Sequence, residues 1–512
     1  MFFNRENVKK KQKNTIQSFQ LKLRKNLHLA TIQTEILAGA TVALALIPES
    51  LAFAAIAKVN PMVALYTSFC MAVVISLVGG RPAMISAATG SMALLMTTLV
   101  AKHGVEYLFA ATILTGIMQF LIGVFKLERF FSFIPQSAIS GFVNALGILI
   151  FIAQLSLFAG EPWQMYVMVA VTLAIVYLFP RITKSIPSPL IAIITMTIVA
   201  IAMNLDIRRV GDIGEITRNL PVLHVPQVSF SLETLLIILP YSITLAIVGL
   251  LESLLTAALV DELTETRSSK NRETRGQGIA NAITGFMGGM AGCGMVGQSI
   301  INNRCGAKGR LSTFVSGAFL LFSMFVLRDI VQQIPMAALV GVMIMVSFET
   351  FDWHSLKILR KTPLPEALVM PFTVIVALTT HDLAQGVLAG VIVNLLIFGW
   401  QAAQIRTTTT IDRDDHKVYY IHGQLFFGSA NHFVELFEYS RDTDKVVIDF
   451  HRSHVWDQAA ANAIAKVVSK YHRLGKHVTI VGLNHESHNT VCKSGVPEDL
   501  VNFASSSSSL SN

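Results

Sequence analysis

The chain has 512 residues, 53% hydrophobic and 14% charged, with a mean hydropathy of +0.57 and a formal net charge of +8. A soluble domain needs more charged surface than this, so most of the chain is expected in a lipid bilayer. The Lys and Arg residues alternate between loops and form no single patch, which argues against a nucleic-acid partner. Four scattered cysteines (Cys70, Cys293, Cys305, Cys492) show no metal spacing and no disulfide framework, and read as packing residues.

Residues 1–30 form a basic head (Arg5, Lys9, Lys10, Lys11, Lys13, Lys22, Arg24, Lys25) that is too long and polar for a cleaved signal peptide. Beyond it, windows of roughly 20 apolar residues predict about fourteen spans. The first seven fall near 33–57, 61–80, 84–101, 106–125, 132–157, 162–180 and 188–205. The second seven fall near 236–262, 276–291, 294–303, 312–328, 334–350, 366–380 and 383–400. The expected organisation is a transmembrane repeat over 31–206, an extracytoplasmic loop over 207–231 and a second repeat over 232–404. Basic residues concentrate in alternate loops, so the positive-inside rule places both termini in the cytoplasm.

Within the eighth window, LPYSITLAIVGLLESLLTAALV (239–260) carries one acid, Glu252. A carboxylate at the centre of a bilayer costs several kcal/mol, so such residues face a cavity, a partner or an ion path, and this one points to transport. An odd number of spans per half inserts the second copy upside down, as in inverted-repeat transporters. Both halves carry an interrupted segment at a similar distance, GGRPAMISAATGSMALL (79–95) and GGMAGCGMVGQSII (288–301). These read as half-helices whose first amides, near Ala88–Thr89–Gly90 and Gly294–Met295–Val296, would stand unpaired and suit a small anion. Glu49, beside Pro48, is a second intramembrane acid that could face a wet cavity or satisfy local polar groups. Asp261 and Glu262 are expected to pair with Arg267 at the membrane surface.

After Trp400, strand-like 417–430, 445–450 and 477–483 alternate with helix-like 431–440 and 458–475. This predicts a small cytoplasmic α/β domain over 411–500, followed by a disordered tail over 501–512. Its histidines lack ligand spacing, so no metal is assigned. No nucleophile elbow or phosphate loop occurs in a convincing context, so the chain is not expected to be an enzyme and needs no cofactor beyond a coupling proton or sodium ion.

ALIPESLAFAAIAKVNPMVALYTSF (45–69), GGRPAMISAATG (79–90), NRETRGQGIAN (271–281), GAKGRLSTFVSG (306–317) and IPMAALVGVMI (334–344) together resemble the SulP sulfate-permease family, bacterial relatives of solute-carrier family 26. The tail resembles the STAS domain that ends these transporters. The resemblance implies a polytopic α-helical membrane protein with a 7+7 inverted repeat divided into core and gate, a homodimer in the bacterial inner membrane, and elevator-like anion transport. It places the anion between Ala87, Ala88, Thr89 and Gly90 and the facing Gly294, Met295 and Val296, with Phe53 lining the pocket. It places the coupling ion at Glu252 and Thr256, four residues apart on one helix face. Sodium-coupled bicarbonate relatives have Asp and a Thr where this chain has Glu252 and Val296. That loss of a hard oxygen favours a proton, which a buried Glu is suited to carry. Gln298 stands where vertebrate relatives carry Arg, so the pocket is expected to rely on helix ends alone. Arg304, Lys308 and Arg310 read as positive-inside anchors.

Sulfate leads as the substrate, followed by bicarbonate and then dicarboxylates. A sodium symporter, an uncoupled exchanger or channel, and an anion sensor acting through a cytoplasmic partner of the STAS domain are the rival readings. The serine of the phosphorylated DSSG turn is absent, since Asp457–Gln458–Ala459–Ala460 occupies that place.

Overall fold

The structure, a computed structural model, describes residues 4–503 except 159, 183–186, 215, 217, 218, 230, 381, 413–415, 495, 498 and 499; for 4–30, 132, 502 and 503 it describes backbone alone. The basic side chains of the head and the tail from 504 onward therefore lie outside the described residues. Backbone amides in hydrocarbon must bond within their own segment, and the apolar windows accordingly become helices. The first seven are α1 (Asn4–Ala57), α2 (Pro61–Val78), α3 (Gly90–His103), α4 (Val105–Val124), α5 (Gln136–Leu155), α6 (Trp163–Leu178) and α7 (Ser188–Ala202). The second seven are α8 (Leu232–Thr264), α9 (Lys270–Phe286), α10 (Val296–Arg304), α11 (Leu311–Val331), α12 (Met336–Thr350), α13 (Val369–Thr380) and α14 (Leu383–Ala402).

Each expected window thus holds a helix, and among the described residues nine helical segments are long and apolar enough to cross a membrane. By contrast α3 has 14 residues and α10 has 9. Two short strands precede these half-helices: β1 (Ser86–Ala88) runs into α3 and β2 (Gly292–Gly294) runs into α10. Boundaries differ from expectation most at α1, which starts at Asn4 rather than near 33, and α9 starts at Lys270 rather than near 276. Ser269 caps it by accepting the Arg272 amide, so Arg272, Glu273 and Arg275 belong to the helix instead of a loop.

Packing sorts the membrane unit into two groups. In one, α1, α2 and α11 pack together, α4 lies along α8 and α9, and α3 and α10 fill the middle. In the other, α5, α6, α7, α12 and α13 pack on one another. Gly116 on α4 and Gly278 on α9 allow backbone-to-backbone approach, since a Cβ on Gly116 would lie 2.3 Å from the Ala282 amide nitrogen. Leu395, Leu396 and Phe398 on α14 and Ile194, Ile198 and Ile201 on α7 stay exposed, as lipid-facing residues do.

The chain divides into two compact units at Val391 and Ile392. In the second unit, β3 (Arg406–Ile411), β4 (Lys417–Leu425), β5 (Lys445–Val455), β6 (His477–Leu483) and β7 (Val501–Phe503) form one sheet in that order. The β3–β4 pair is antiparallel and the others are parallel. Helices α15 (Ala430–Glu435), α16 (Gln458–Arg473) and α17 (His485–Cys492) complete the fold. Two expected limits shift. The sheet begins at 406 rather than 411, because the exposed run RTTTTI pairs with β4. Residues 501–503 form its edge strand instead of opening a tail.

Candidate functional site: two half-helix tips and an embedded carboxylate

The tips of the half-helices meet through their strands. β1 and β2 pair antiparallel with Ser86 opposite Gly294, Ala87 opposite Cys293 and Ala88 opposite Gly292. Only glycine fits at Gly292, where a Cβ would lie 2.4 Å from the Ala87 carbonyl oxygen. Polar side chains brace this ladder inside the protein. Asn281 brackets Gly292, accepting its amide and donating to its carbonyl at 2.8 and 3.0 Å, and Ser68 Oγ accepts the Ala88 amide at 3.2 Å.

This bracing corrects the expectation of six unpaired amides. The Ala88 amide is committed to Ser68, the Gly294 amide to Ser253 Oγ at 2.9 Å, and the Met295 amide to the Ile85 carbonyl at 2.8 Å. The free donors are the first turns of α3 and α10, whose N-cap residues Thr89 and Met295 make no side-chain cap bond. At α3, a Cβ on Gly90 would lie 3.1 Å from Phe53 Cε1 and 3.0 Å from Ile150 Cδ1, so Phe53 does cover this tip. At α10, Val296 is 43% exposed and Gly297 faces open space.

Glu252 on α8 bridges both tips. Its Oε2 accepts the Ser91 hydroxyl of α3 at 2.7 Å and the Cys293 thiol of β2 at 2.6 Å. Thr89 Oγ1 lies 3.1 Å from both Ser91 Oγ and Cys293 Sγ, closing a polar ring. One turn along α8, Thr256 Oγ1 donates to the Glu252 carbonyl at 2.7 Å and lies 3.2 Å from the Gly294 carbonyl. Two charge-assisted donors offset part of the carboxylate's lost hydration. Cys293 is therefore not the packing residue expected from sequence, and neither it nor Ser91 was singled out there. Their place inside the two interrupted segments was the available signal.

The other candidates fall around this centre. Gln298 donates its amide to Glu49 Oε1 at 2.5 Å, so it faces a carboxylate on α1. Asp261 pairs with the buried Arg81 at 2.9 Å and accepts from Ser268, instead of pairing with Arg267 as expected. The Arg81 guanidinium also bonds the Val260 carbonyl and the Thr264 hydroxyl, which caps the end of α8. Arg310 does the same for α2 through the carbonyls of Ser76 and Gly79. Glu35 and Glu273, buried and unflagged by sequence, hold the turns that lead to α11 and β1. Glu35 accepts the amides of Lys308, Gly309 and Ser312, and Glu273 those of Gly80 and Arg81. A cavity of about 1170 Å³, lined by Lys58, Asn60, Thr97, Arg208, Tyr241 and Asp382 among others, lies farther along α1 and α3 and includes none of the tip residues. Charge and free donors converge at the tips, outside that cavity.

Residues 32–164 and 159–373 match the model of the Sulfate permease family. The chain belongs to that family. It is a family of permeases, so this permease is a transporter and not an enzyme, and its residues 407–509 match the STAS domain. The permease is 54% identical over 456 residues to YbaR of Bacillus subtilis (strain 168), covering 89% of this chain and 95% of the relative, whose name provisionally assigns it to sulfate transport. It is 29% identical over 455 residues to the bicarbonate transporter BicA of Synechocystis, covering 82% and 79% of the two chains. The solved transmembrane domain of a cyanobacterial BicA superposes with a TM-score of 0.63 at 26% identity, covering 71% of this chain and 97% of that one. The inward-facing murine Slc26a9 structure superposes with a TM-score of 0.78 at 17% identity over 91% and 89% of the chains, which establishes a shared fold.

Proposed function

We propose that this permease is a secondary active transporter of small inorganic oxyanions that is coupled to protons through Glu252. The observation that carries the proposal is the pair of hydrogen bonds donated to Glu252 Oε2. One carboxylate oxygen accepts Ser91 from the first half and Cys293 from the second, so the charge state of a single residue bears on both helix ends that would hold the anion. An anion bound by free first-turn amides needs no neutralising side chain. Neutralising Glu252 by a proton removes a charge next to that anion, so anion and proton binding favour each other. The two packing groups support an elevator-like motion in which α1–α4 and α8–α11 carry the site past α5–α7, α12 and α13. A 7+7 inverted repeat, both termini in the cytoplasm, a bacterial plasma membrane and a homodimeric assembly belong to the same reading.

Sulfate leads as substrate from the family, and bicarbonate follows from the relation to BicA. Uptake of labelled sulfate and bicarbonate into proteoliposomes, under imposed proton or sodium gradients, tests the reading. One anion should accumulate only with an inward proton gradient, and Glu252→Gln should lower that accumulation by at least about 100-fold, since the group in question is the carrier itself. Accumulation that follows sodium alone, or that survives Glu252→Gln under a proton gradient, would refute it.

A further inference from the structure

The ring around Glu252 contains one atom of a different kind from the rest. Ser91 and Thr89 contribute oxygens, whereas β2 contributes the sulfur of Cys293, which is fully buried and lies 2.6 Å from Glu252 Oε2 and 3.1 Å from Thr89 Oγ1. Hard monovalent and divalent cations are held by carboxylate, carbonyl and hydroxyl oxygens, while sulfur ligands suit soft metals. The remaining oxygens could serve a hard cation only on one side. Both donors are on Glu252 Oε2, no donor to Oε1 is present among the described residues, and Thr256 Oγ1 keeps its lone pairs while donating its hydrogen to backbone. A cation bound by this carboxylate would meet the Cys293 thiol at Oε2, where a serine at the same position would offer an oxygen. A proton needs no such shell. Val296, the residue that sequence pointed to for the missing oxygen, is 43% exposed at the first turn of α10, and the group that touches the carboxylate from the strand before this turn is Cys293.

We propose that Cys293 sets the coupling-ion specificity of this permease: its thiol denies sodium an oxygen ligand and leaves Glu252 as a proton site. The inference rests on the proton-coupled reading above and names the residue responsible for it.

The test compares wild type, Cys293→Ser, Cys293→Ala, Val296→Thr and the exposed Cys305→Ser as full-length proteins. Labelled sulfate and bicarbonate uptake is measured under proton or sodium gradients, and thermal unfolding of the detergent-solubilised protein in sodium chloride against potassium chloride. Cys293→Ser is expected to gain at least about tenfold in sodium-driven accumulation, the worth of one added ligand bond, and to unfold at a higher temperature in sodium than in potassium. Wild type, Val296→Thr and Cys305→Ser are expected to show neither. Should the serine variant fail to fold, Cys293→Ala decides the question, because removing the sulfur opens the flank to water; a sodium response there supports the role and its absence refutes it. A folded Cys293→Ser that is blind to sodium in both measurements, or sodium coupling that arises from Val296→Thr alone, overturns the role of Cys293 while leaving proton coupling in place. Sodium-driven accumulation by the wild type overturns proton coupling itself, and this inference with it.

Discussion

Asp442 is a carboxylate of the STAS unit with no side-chain exposure. It accepts Lys417 Nζ at 2.5 Å, Tyr419 OH at 2.8 Å and the Tyr471 hydroxyl. Removing one partner of such a group strands a charge, so Asp442→Ala should destabilise the domain by roughly 3 kcal/mol, seen as an earlier unfolding step in urea. The same cluster sets an alkaline limit. Burial first, and then the Tyr419 and Asp442 charges, push Tyr439 up to about 12, and burial with the Asp442 hydrogen bond pushes Tyr471 higher still. Burial opposes the Lys417 ammonium, but its hydrogen bonds to Asp442, Glu438 and Tyr419 outweigh that and raise it. Unfolded tyrosine releases its proton near pH 10. Above that pH the folded state holds more protons than the unfolded one, so stability is intact below pH 10 and falls as pH rises toward 12. A series of thermal melts from pH 8 to 12 checks this, and a flat profile would contradict it. At the membrane site, Glu252 was legible because a charge amid apolar residues needs a reason. Cys293 was not: its place inside an interrupted segment was a signal, but a cysteine without spacing partners shows no role until its neighbours across the chain are known. Asp261 was matched to the wrong arginine for the same reason: Arg81 is 180 residues away in sequence and adjacent in space.

Helices α4 and α9 show what holds elements together where water supplies no driving force. A Cβ on Gly278 would lie 2.4 Å from the Phe120 amide nitrogen and 2.7 Å from the Gly116 carbonyl, and neither backbone atom can move aside. Gly278→Val should therefore cost ~1–3 kcal/mol or more by overpacking and sharply lower the yield of monodisperse protein. A variant that purifies like wild type would show that these helices separate more easily than their geometry suggests. The positions of the helices were readable from hydropathy, since that pattern is dictated by lipid. The start of α9 was not, because its first turn is polar: Glu273 is buried against the turn at 80–81, and a serine cap rather than hydrophobicity fixes where the helix begins. Strand β3 was missed likewise, since its threonines are mostly exposed and its pairing with β4 is the only thing that identifies it.

At the scale of the whole molecule, each unit has its own apolar core, one built on the membrane helices and the other on Tyr419, Phe433, Phe450, Ile464 and Tyr471 among others. A chain ending after Gln404 should therefore insert and retain anion uptake within about threefold of the full-length rate, measured in proteoliposomes at equal protein density. Loss of uptake would make the STAS unit part of the transport cycle, and retained uptake with a lost downstream signal would favour the sensor. The register between β1 and β2 has a consequence for biogenesis. Ser86 emerges from the ribosome more than 200 residues before its partner Gly294. At a synthesis rate of about 5–20 residues per second, the first tip waits on the order of 10–40 s with its strand edge unmatched in the bilayer. The nascent first half must be sheltered through that interval, by the insertion machinery or by transient partners, and the anion pocket comes into being only when the second half arrives to close it.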